Sequence, residues 1–420
     1  MSTSPPLPSN AAAVTGQART IDAARARSLP VDRLLLRAFL RAAGRPPLRC
    51  ILPDGEAVYV GDGEPVGDVR FADRATLYHV LRAPEIGFGE GYTDGRIEID
   101  GDLTEVVAAA YQPVATWVER LVFRARRPRR NSHRGARHNI HRHYDLGNAF
   151  YRLWLDARML YTCAYYPTPD ATLEEAQVAK MHHVCRKLAL RPGERVVEAG
   201  CGWGTLALHM ARHYGVHVRA FNISREQIAF ARAQAARAGL AAQVEFIEDD
   251  YRNVSGTYDC FMSVGMLEHV GPDHYRELGA VIDRCLPAHG RGLIHSIGRG
   301  RPARLNAWVE KHIFPGAYPP TLRQMMEIFE PFRFAVHDVE NLRLHYERTA
   351  AEWLARFERH AGAVRAMFDE RFVRAWRLYL AGTTVAFRLG LLQLFQVVFG
   401  RDRFNGGPWT RAHVYTDAGR

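Results

Sequence analysis

Between Val196 and Thr205 the chain reads Val196-Val197-Glu198-Ala199-Gly200-Cys201-Gly202-Trp203-Gly204-Thr205. No other stretch narrows the fold as far. A β-branched pair leads into an acidic residue, and glycines occupy alternate positions. An apolar, helix-favouring run from Leu206 to Arg212 follows. This is the pattern of strand, tight turn and helix in an α/β fold. Glycine tolerates positive φ and brings the backbone close to a ligand, so a nucleotide-like cofactor can lie over the turn. A dinucleotide fingerprint runs G-x-G-x-x-G/A. Counted from Gly200, its third glycine would stand at residue 205, which is threonine. The spacing here is G-x-G-x-G, with Glu198 two residues ahead. S-adenosylmethionine (SAM) has no pyrophosphate to cradle, and its ammonium suits a carboxylate such as Glu198. The spacing therefore favours SAM. Taken alone it also fits a plain glycine-rich turn, with Glu198 only a charge near a helix N-terminus.

The alternation continues around this motif. Strands are expected at Arg195 to Ala199, His217 to Asn222, Val244 to Glu248, Tyr258 to Val264 and Gly292 to Ser296. Helices are expected at Thr172 to Leu190, Ser224 to Ala238 and His274 to Cys285. Such a pattern predicts a mainly parallel sheet covered on both faces. Residues 301–420 are helix-rich and aromatic, with an apolar helix expected at Thr383 to Phe399, and are read as an insertion and C-terminal extension over the cofactor site. Upstream, residues 31–122 form a smaller α+β unit. It has a helical stretch from Leu34 to Ala43, short strands separated by Asp-Gly turns, and an apolar helix from Leu103 towards Val122. Residues 1–30 are rich in Ser, Pro and Ala and read as a disordered arm. Residues 123–137 carry seven arginines and form a linker, leaving 138–420 as the catalytic domain.

A chain of 420 residues accommodates this division into two or three domains. The net charge is +11, with only three lysines, Lys180, Lys187 and Lys311. That balance implies attraction to polyanions. The linker arginines are either a solvated charge run or a contact for anionic lipid headgroups. Stacking aromatics are not interleaved with them, which argues against nucleic acid. The six cysteines show no C-x-x-C and no zinc spacing, so neither a disulfide framework nor a metal site is expected. No apolar run is long enough to span a bilayer, and the N-terminus lacks a signal pattern. A cytoplasmic protein is the expectation.

Several ordered islands go beyond the glycine turn. They include His143 to Asn148, Tyr161-Thr162-Cys163-Ala164-Tyr165-Tyr166, and Leu173-Glu174-Glu175-Ala176-Gln177. Asn222-Ile223-Ser224-Arg225-Glu226-Gln227 and Ser263 to Gly271 follow, then Ile294-His295-Ser296-Ile297-Gly298, Ile313-Phe314-Pro315-Gly316 and Gln393 to Phe399. Together they resemble the cyclopropane-fatty-acyl-phospholipid synthases, relatives of the mycolic acid cyclopropane synthases, from roughly residue 86 to residue 401. The piece from Ile86 to Leu103 resembles the end of that family's N-terminal lipid-associated domain. The resemblance implies a Rossmann-like SAM-dependent methyltransferase fold.

It also implies a chemistry. The double bond of an unsaturated phospholipid acyl chain attacks the SAM methyl, a carbocation forms, and a bound bicarbonate removes a proton from the added carbon so that a cyclopropane closes. The implied anion cage is Cys163, Glu268, His295, Ile297 through its backbone, and Tyr346. Taken alone these residues stay ambiguous: Cys163 fits a buried core, Glu268 a helix-end carboxylate, His295 a hydrogen-bonded core histidine. The implied SAM contacts are Tyr161, Thr162, Glu198, Gly200, Cys201, Gly202, Gly204, Asn222, Ser224, Gln227, Asp250 and Tyr251. Thr162 stands where the family usually has serine, and Glu198 where it usually has aspartate. Aromatic faces such as Tyr161 or Tyr165 would stabilise a cation. The same cation could instead give a methyl- or methylene-branched chain. A catalytically idle lipid-binding protein is the rival from another class. The resemblance further implies peripheral association with the inner face of a membrane and allows a homodimer.

Overall fold

The computed structural model describes residues 28–111 and 146–415. The arm up to residue 27, the arginine linker at 123–137 and the start of the His143 island lie outside them.

The N-terminal unit runs α1 (Pro30–Ala42), β1 (Leu48–Ile51), β2 (Ala57–Val58), β3 (Gly67–Phe71), α2 (Arg74–Arg82), α3 (Pro84–Thr93), β4 (Ile97–Asp100) and α4 (Leu103–Ala110). Its four-stranded sheet has the order β2-β1-β3-β4. Helix α3 was not anticipated, because Gly87, Gly89 and Gly91 weaken a helical pattern. Here they face close neighbours: a Cβ on Gly89 would stand 2.3 Å from the Trp308 ring, and one on Gly91 2.7 Å from Ile97.

The larger unit begins with α5 (Asn148–Tyr151) and α6 (Leu173–Lys187), the latter started by a Thr172–Glu175 capping box. Then come β5 (Arg195–Ala199), α7 (Thr205–Tyr214), β6 (His217–Asn222), α8 (Arg225–Arg237), β7 (Val244–Glu248), β8 (Cys260–Val264), α9 (Tyr275–Cys285) and β9 (Arg291–Gly298). The chain closes with α10 (Ala307–His312), α11 (Leu322–Phe329), β10 (Phe334–Asn341), α12 (Arg343–Arg359), α13 (Ala361–Met367), α14 (Glu370–Arg388), β11 (Gln393–Arg401) and α15 (Ala412–Tyr415).

The seven-stranded sheet has the order β10-β11-β9-β8-β5-β6-β7. The pairs from β9 to β7 are parallel, and β11 runs antiparallel to both neighbours. Alternation along each strand decides which helices cover it. Val196, Val218 and Met262 pack with α6, α7 and α8, whereas Val197, Phe221 and Phe261 pack with α9 and α11. Helices α12 and α14 share a third buried cluster with the N-terminal unit.

One expectation is corrected. The apolar stretch from Thr383 to Phe399 is not a helix. Helix α14 stops at Arg388, Gly390 turns the chain at φ +73°, and β11 follows. Within residues 301–420, β10 and β11 therefore complete the sheet, and the helices beside them supply the cover.

Candidate functional site

The glycine turn lies at the carboxyl end of β5, where α/β sheets bind ligands. Gly200 takes φ +84°, and a Cβ there would meet the Met266 side chain at 2.9 Å. The turn opens onto a cavity. Of the residues expected to contact SAM, Tyr161, Thr162, Glu198, Gly200, Cys201, Gly202, Asn222, Gln227, Asp250 and Tyr251 line it.

Gly204 and Ser224 do not, and each has a structural reason for its place. Gly204 holds the left-handed position before α7, and a Cβ on it would stand 2.6 Å from Phe246 and 2.7 Å from Ala231. Ser224 caps α8, its hydroxyl accepting from the Gln227 N–H. Sequence reading missed Lys180, Trp203, Met266 and His269, which also line the cavity. Trp203 follows directly from the motif, whereas nothing in the pattern of α6 marks Lys180.

Asn222 ties the loops together. Its Nδ2 donates to Gly202 O at 3.2 Å and to Gln227 Oε1 at 2.7 Å. Asp250 is engaged by Arg252, whose Nε and Nη2 donate to it at 2.9 and 2.8 Å. Tyr161 stands among Tyr151, Trp154 and Trp353, with its hydroxyl 2.7 Å from that of Tyr379. Tyr165 is elsewhere: its ring stacks on His183 and His345, outside the cavity lining.

Two buried ionisable groups line the cavity. Glu198 is buried, burial raises its pKa to about 8, and its Oε2 has no protein partner. Lys180 is buried beside it, and burial lowers its pKa to about 8. Its Nζ donates to Thr162 Oγ1 at 2.8 Å.

The five expected cage residues do not line this cavity. Three of them neighbour lining positions: Thr162 precedes Cys163, His269 follows Glu268, and Val264 pairs with His295 across β8 and β9. Backbone contacts bring them to one end of the sheet. Ile297 pairs with Leu394, whose carbonyl accepts from Leu342 N–H at 2.8 Å. The Cys163 thiol faces the Leu342 carbonyl, and Tyr346 starts its helical turn on that same carbonyl.

Glu268 Oε1 accepts from the Ile297 N–H at 2.6 Å, and burial raises the Glu268 pKa to about 7. The Ile297 amide, expected to face an anion, is thus occupied by the carboxylate and positions it. Burial drives the His295 pKa well down, so its imidazole is neutral, with Nδ1 3.1 Å from the Gln396 amide. Burial also pushes up the Cys163 thiol, which leaves it protonated. Glu268 Oε2 and His295 Nε2 are both buried without a protein partner. Buried polar atoms are normally satisfied, so each of these two atoms calls for a polar partner that the protein does not supply.

The mycolic acid cyclopropane synthetase family model matches residues 131–397, and a domain of unknown function matches 35–120. The chain is 36% identical to a cyclopropane-fatty-acyl-phospholipid synthase of Escherichia coli, over 82% of this chain and 91% of that one. It is 34% identical to a probable fatty acid methyltransferase of Pseudomonas putida, over 88% and 96%. It is also 34% identical to a tuberculostearic acid methyltransferase of Mycobacterium tuberculosis, over 90% and 92%. Two solved structures superpose at TM-scores of 0.61 and 0.60, each 28% identical and covering 64% of this chain and 99% of its own. They are the cyclopropane synthase MmaA2 from Mycobacterium tuberculosis and mycolic acid cyclopropane synthase CmaA1 complexed with SAH and CTAB.

Proposed function

The chain belongs to the mycolic acid cyclopropane synthetase family, and from that premise we propose that it transfers a methylene carbon from SAM to the double bond of an unsaturated phospholipid acyl chain, closing a cyclopropane ring. It is a SAM-dependent methyltransferase of the cyclopropane synthase type. The observation that carries the finer reading is the adjacency of two sites with buried ionisable side chains. One is a cavity over the glycine turn holding Glu198. The other is a buried end of the sheet where Glu268 Oε2 and His295 Nε2 point at no protein partner.

An alkene is a poor nucleophile, so the site must aim it at the sulfonium carbon and keep water from trapping the cation as an alcohol. Tyr161 lines the cavity with Trp154 and Trp353 packed against its ring, and a π face stabilises a nearby cation by about 0.5–2 kcal/mol. Bicarbonate held by Glu268, His295 and Tyr346, with Cys163 beside it, would supply the base for the proton lost from the added carbon. The chain's own part is to fix the carboxylate through the Ile297 N–H and the imidazole through Gln396.

A second reading keeps the first step and changes the last. The relatives named for a cyclopropane synthase and for a tuberculostearic acid methyltransferase are 36% and 34% identical to this chain. Loss of a different proton would give a methyl- or methylene-branched chain, still unsaturated, from the same cation.

The partner proposed for the whole protein is the anionic phospholipid surface at the inner face of the membrane, with no nucleic acid involved. No described helix is long and apolar enough to cross a membrane. Residues 31–122 are proposed as the lipid-associated domain, 123–137 as a basic tether and 138–420 as the catalytic domain. Acyl-chain mass spectrometry, after expression in a host lacking such an enzyme, tests the reaction. Chains should gain one CH2 and lose the alkene. Unchanged chains despite expressed protein and SAM would refute it, and ozonolysis or NMR of the product separates ring from branch.

A further inference from the structure

The chemistry above leaves one buried cation of the cavity without a task. Lys180 projects from α6 and is 1% exposed, yet it lines the same cavity as Glu198. A desolvated ammonium is costly unless a counter-charge meets it. Its hydrogen bond goes to the neutral Thr162 hydroxyl, at 2.8 Å. Asp156, which also acts on it electrostatically, already accepts the Leu160 and Arg158 N–H groups at 2.8 and 3.0 Å.

The other basic side chains lining the cavity are accounted for. Arg252 forks onto Asp250 through Nε and Nη2. His269 is kept neutral by burial, with its pKa lowered to about 4. The cavity wall therefore offers two buried carboxylates, Asp250 already forked by Arg252 and Glu198 with an unpartnered Oε2, and one buried ammonium, Lys180. The aminoacyl tail of SAM is a zwitterion with the opposite arrangement.

We propose that Lys180 is the ligand for the carboxylate of the SAM aminoacyl tail, opposite Glu198 on its ammonium, with the Thr162 hydroxyl holding the lysine head in place. This rests on SAM as the co-substrate. Without ligand the two groups are both desolvated and act on each other electrostatically; the zwitterion gives each a counter-charge of its own. Orientation follows, because a tail held at both ends turns the sulfonium carbon in one direction only. It also explains why threonine serves at position 162, since a hydroxyl is all the lysine requires.

Two ligands separate this role from a structural one. S-adenosylhomocysteine carries the full tail. Its decarboxylated analogue, 5′-adenosyl-3-thiopropylamine, keeps the nucleoside, the thioether and the ammonium and lacks only the carboxylate. Calorimetric titration of the full chain should show a preference for S-adenosylhomocysteine of roughly 10- to 100-fold, the range of one charge-assisted hydrogen bond. Lys180→Met should remove that preference, weakening S-adenosylhomocysteine by the same factor while the amine binds within about threefold of the parent. Lys180→Gln keeps a donor for Thr162 and drops the charge; it should behave alike, and Lys180→Arg should keep part of the preference. A preference that survives in both neutral variants overturns the proposal. So does equal weakening of both ligands, which is the mark of a structural lysine. Failure of the parent protein to bind S-adenosylhomocysteine at all would instead remove the co-substrate reading beneath it.

Discussion

Glu198 sets stability against binding. An exposed glutamate in the unfolded chain titrates near about 4.3. In the folded, ligand-free protein burial raises it to about 8. The folded state therefore holds the proton longer. Its advantage is complete below the unfolded value and disappears as pH climbs through the folded one. Thermal stability of the empty protein should fall between pH 5 and pH 8, by an amount on the order of a few kcal/mol. Glu198→Gln should flatten that decline while weakening S-adenosylhomocysteine; an unchanged slope in a thermal-melt series would clear Glu198 of the effect. Glu268 calls for a different measurement. Glu268→Gln should cut turnover by at least about 100-fold, the scale of one positioned acid–base group, and leave S-adenosylhomocysteine affinity within threefold. In the parent enzyme the rate should rise with pH through about 7 if the carboxylate form is the working one. At this scale the sequence was legible wherever backbone geometry wrote it, as at Gly200 and Gly202. Gly204 and Ser224 carry the same signature for another reason, since a left-handed turn and a helix cap also demand those residues. Lys180 left no mark, because a lysine on an amphipathic helix ordinarily points to water.

Among the elements, the strands β5, β6 and β7 fall at their expected residues, because short β-branched runs between turn signals leave little freedom. The misread helix at Thr383 to Phe399 shows the limit of that argument. Strand β11 is buried almost throughout, so its face-to-face alternation vanishes and an apolar run is all that remains. Helix α3 was hidden for the opposite reason. Its glycines lower helix propensity, and their use appears only once Trp308 of α10 is seen against Gly89. That contact joins the N-terminal unit to the larger one, together with Lys311 and His312 on Glu90. Gly89→Ala places a methyl where the indole lies, so the ring must move. Overpacking of this kind typically costs about 1–3 kcal/mol. The variant should melt at lower temperature and its calorimetric transition should broaden towards two. A single transition at the parent's temperature would show the seam to be compliant.

Taken as a whole, the molecule carries a net charge of +11, nearly all of it from arginine. The linker arginines lie outside the described residues; among the described ones, helix α1 presents a surface suited to lipid. Helix α1 buries Asp32, Leu36 and Leu40. On its outer side Leu34 is 69% exposed, with Val31 and Leu35 at 44% and 40%. Arg37 and Arg41 are exposed beside this apolar stripe. An apolar stripe with a basic border is the pattern of a helix that lies in a bilayer interface. Each leucine moved out of water contributes about 1.5–3 kcal/mol, and each arginine near an anionic surface about 1 kcal/mol. The two contributions separate experimentally, because only the charged one is screened by salt, over roughly 10 Å at 0.1 M. Leu34→Gln with Leu35→Gln should reduce sedimentation with phosphatidylglycerol vesicles by at least tenfold and leave the salt slope intact. Arg37→Gln with Arg41→Gln should reduce it less and flatten the slope. Both variants should bind S-adenosylhomocysteine like the parent, since α1 lies in the other unit from the glycine turn. Undiminished vesicle binding in both variants would move the membrane contact away from α1.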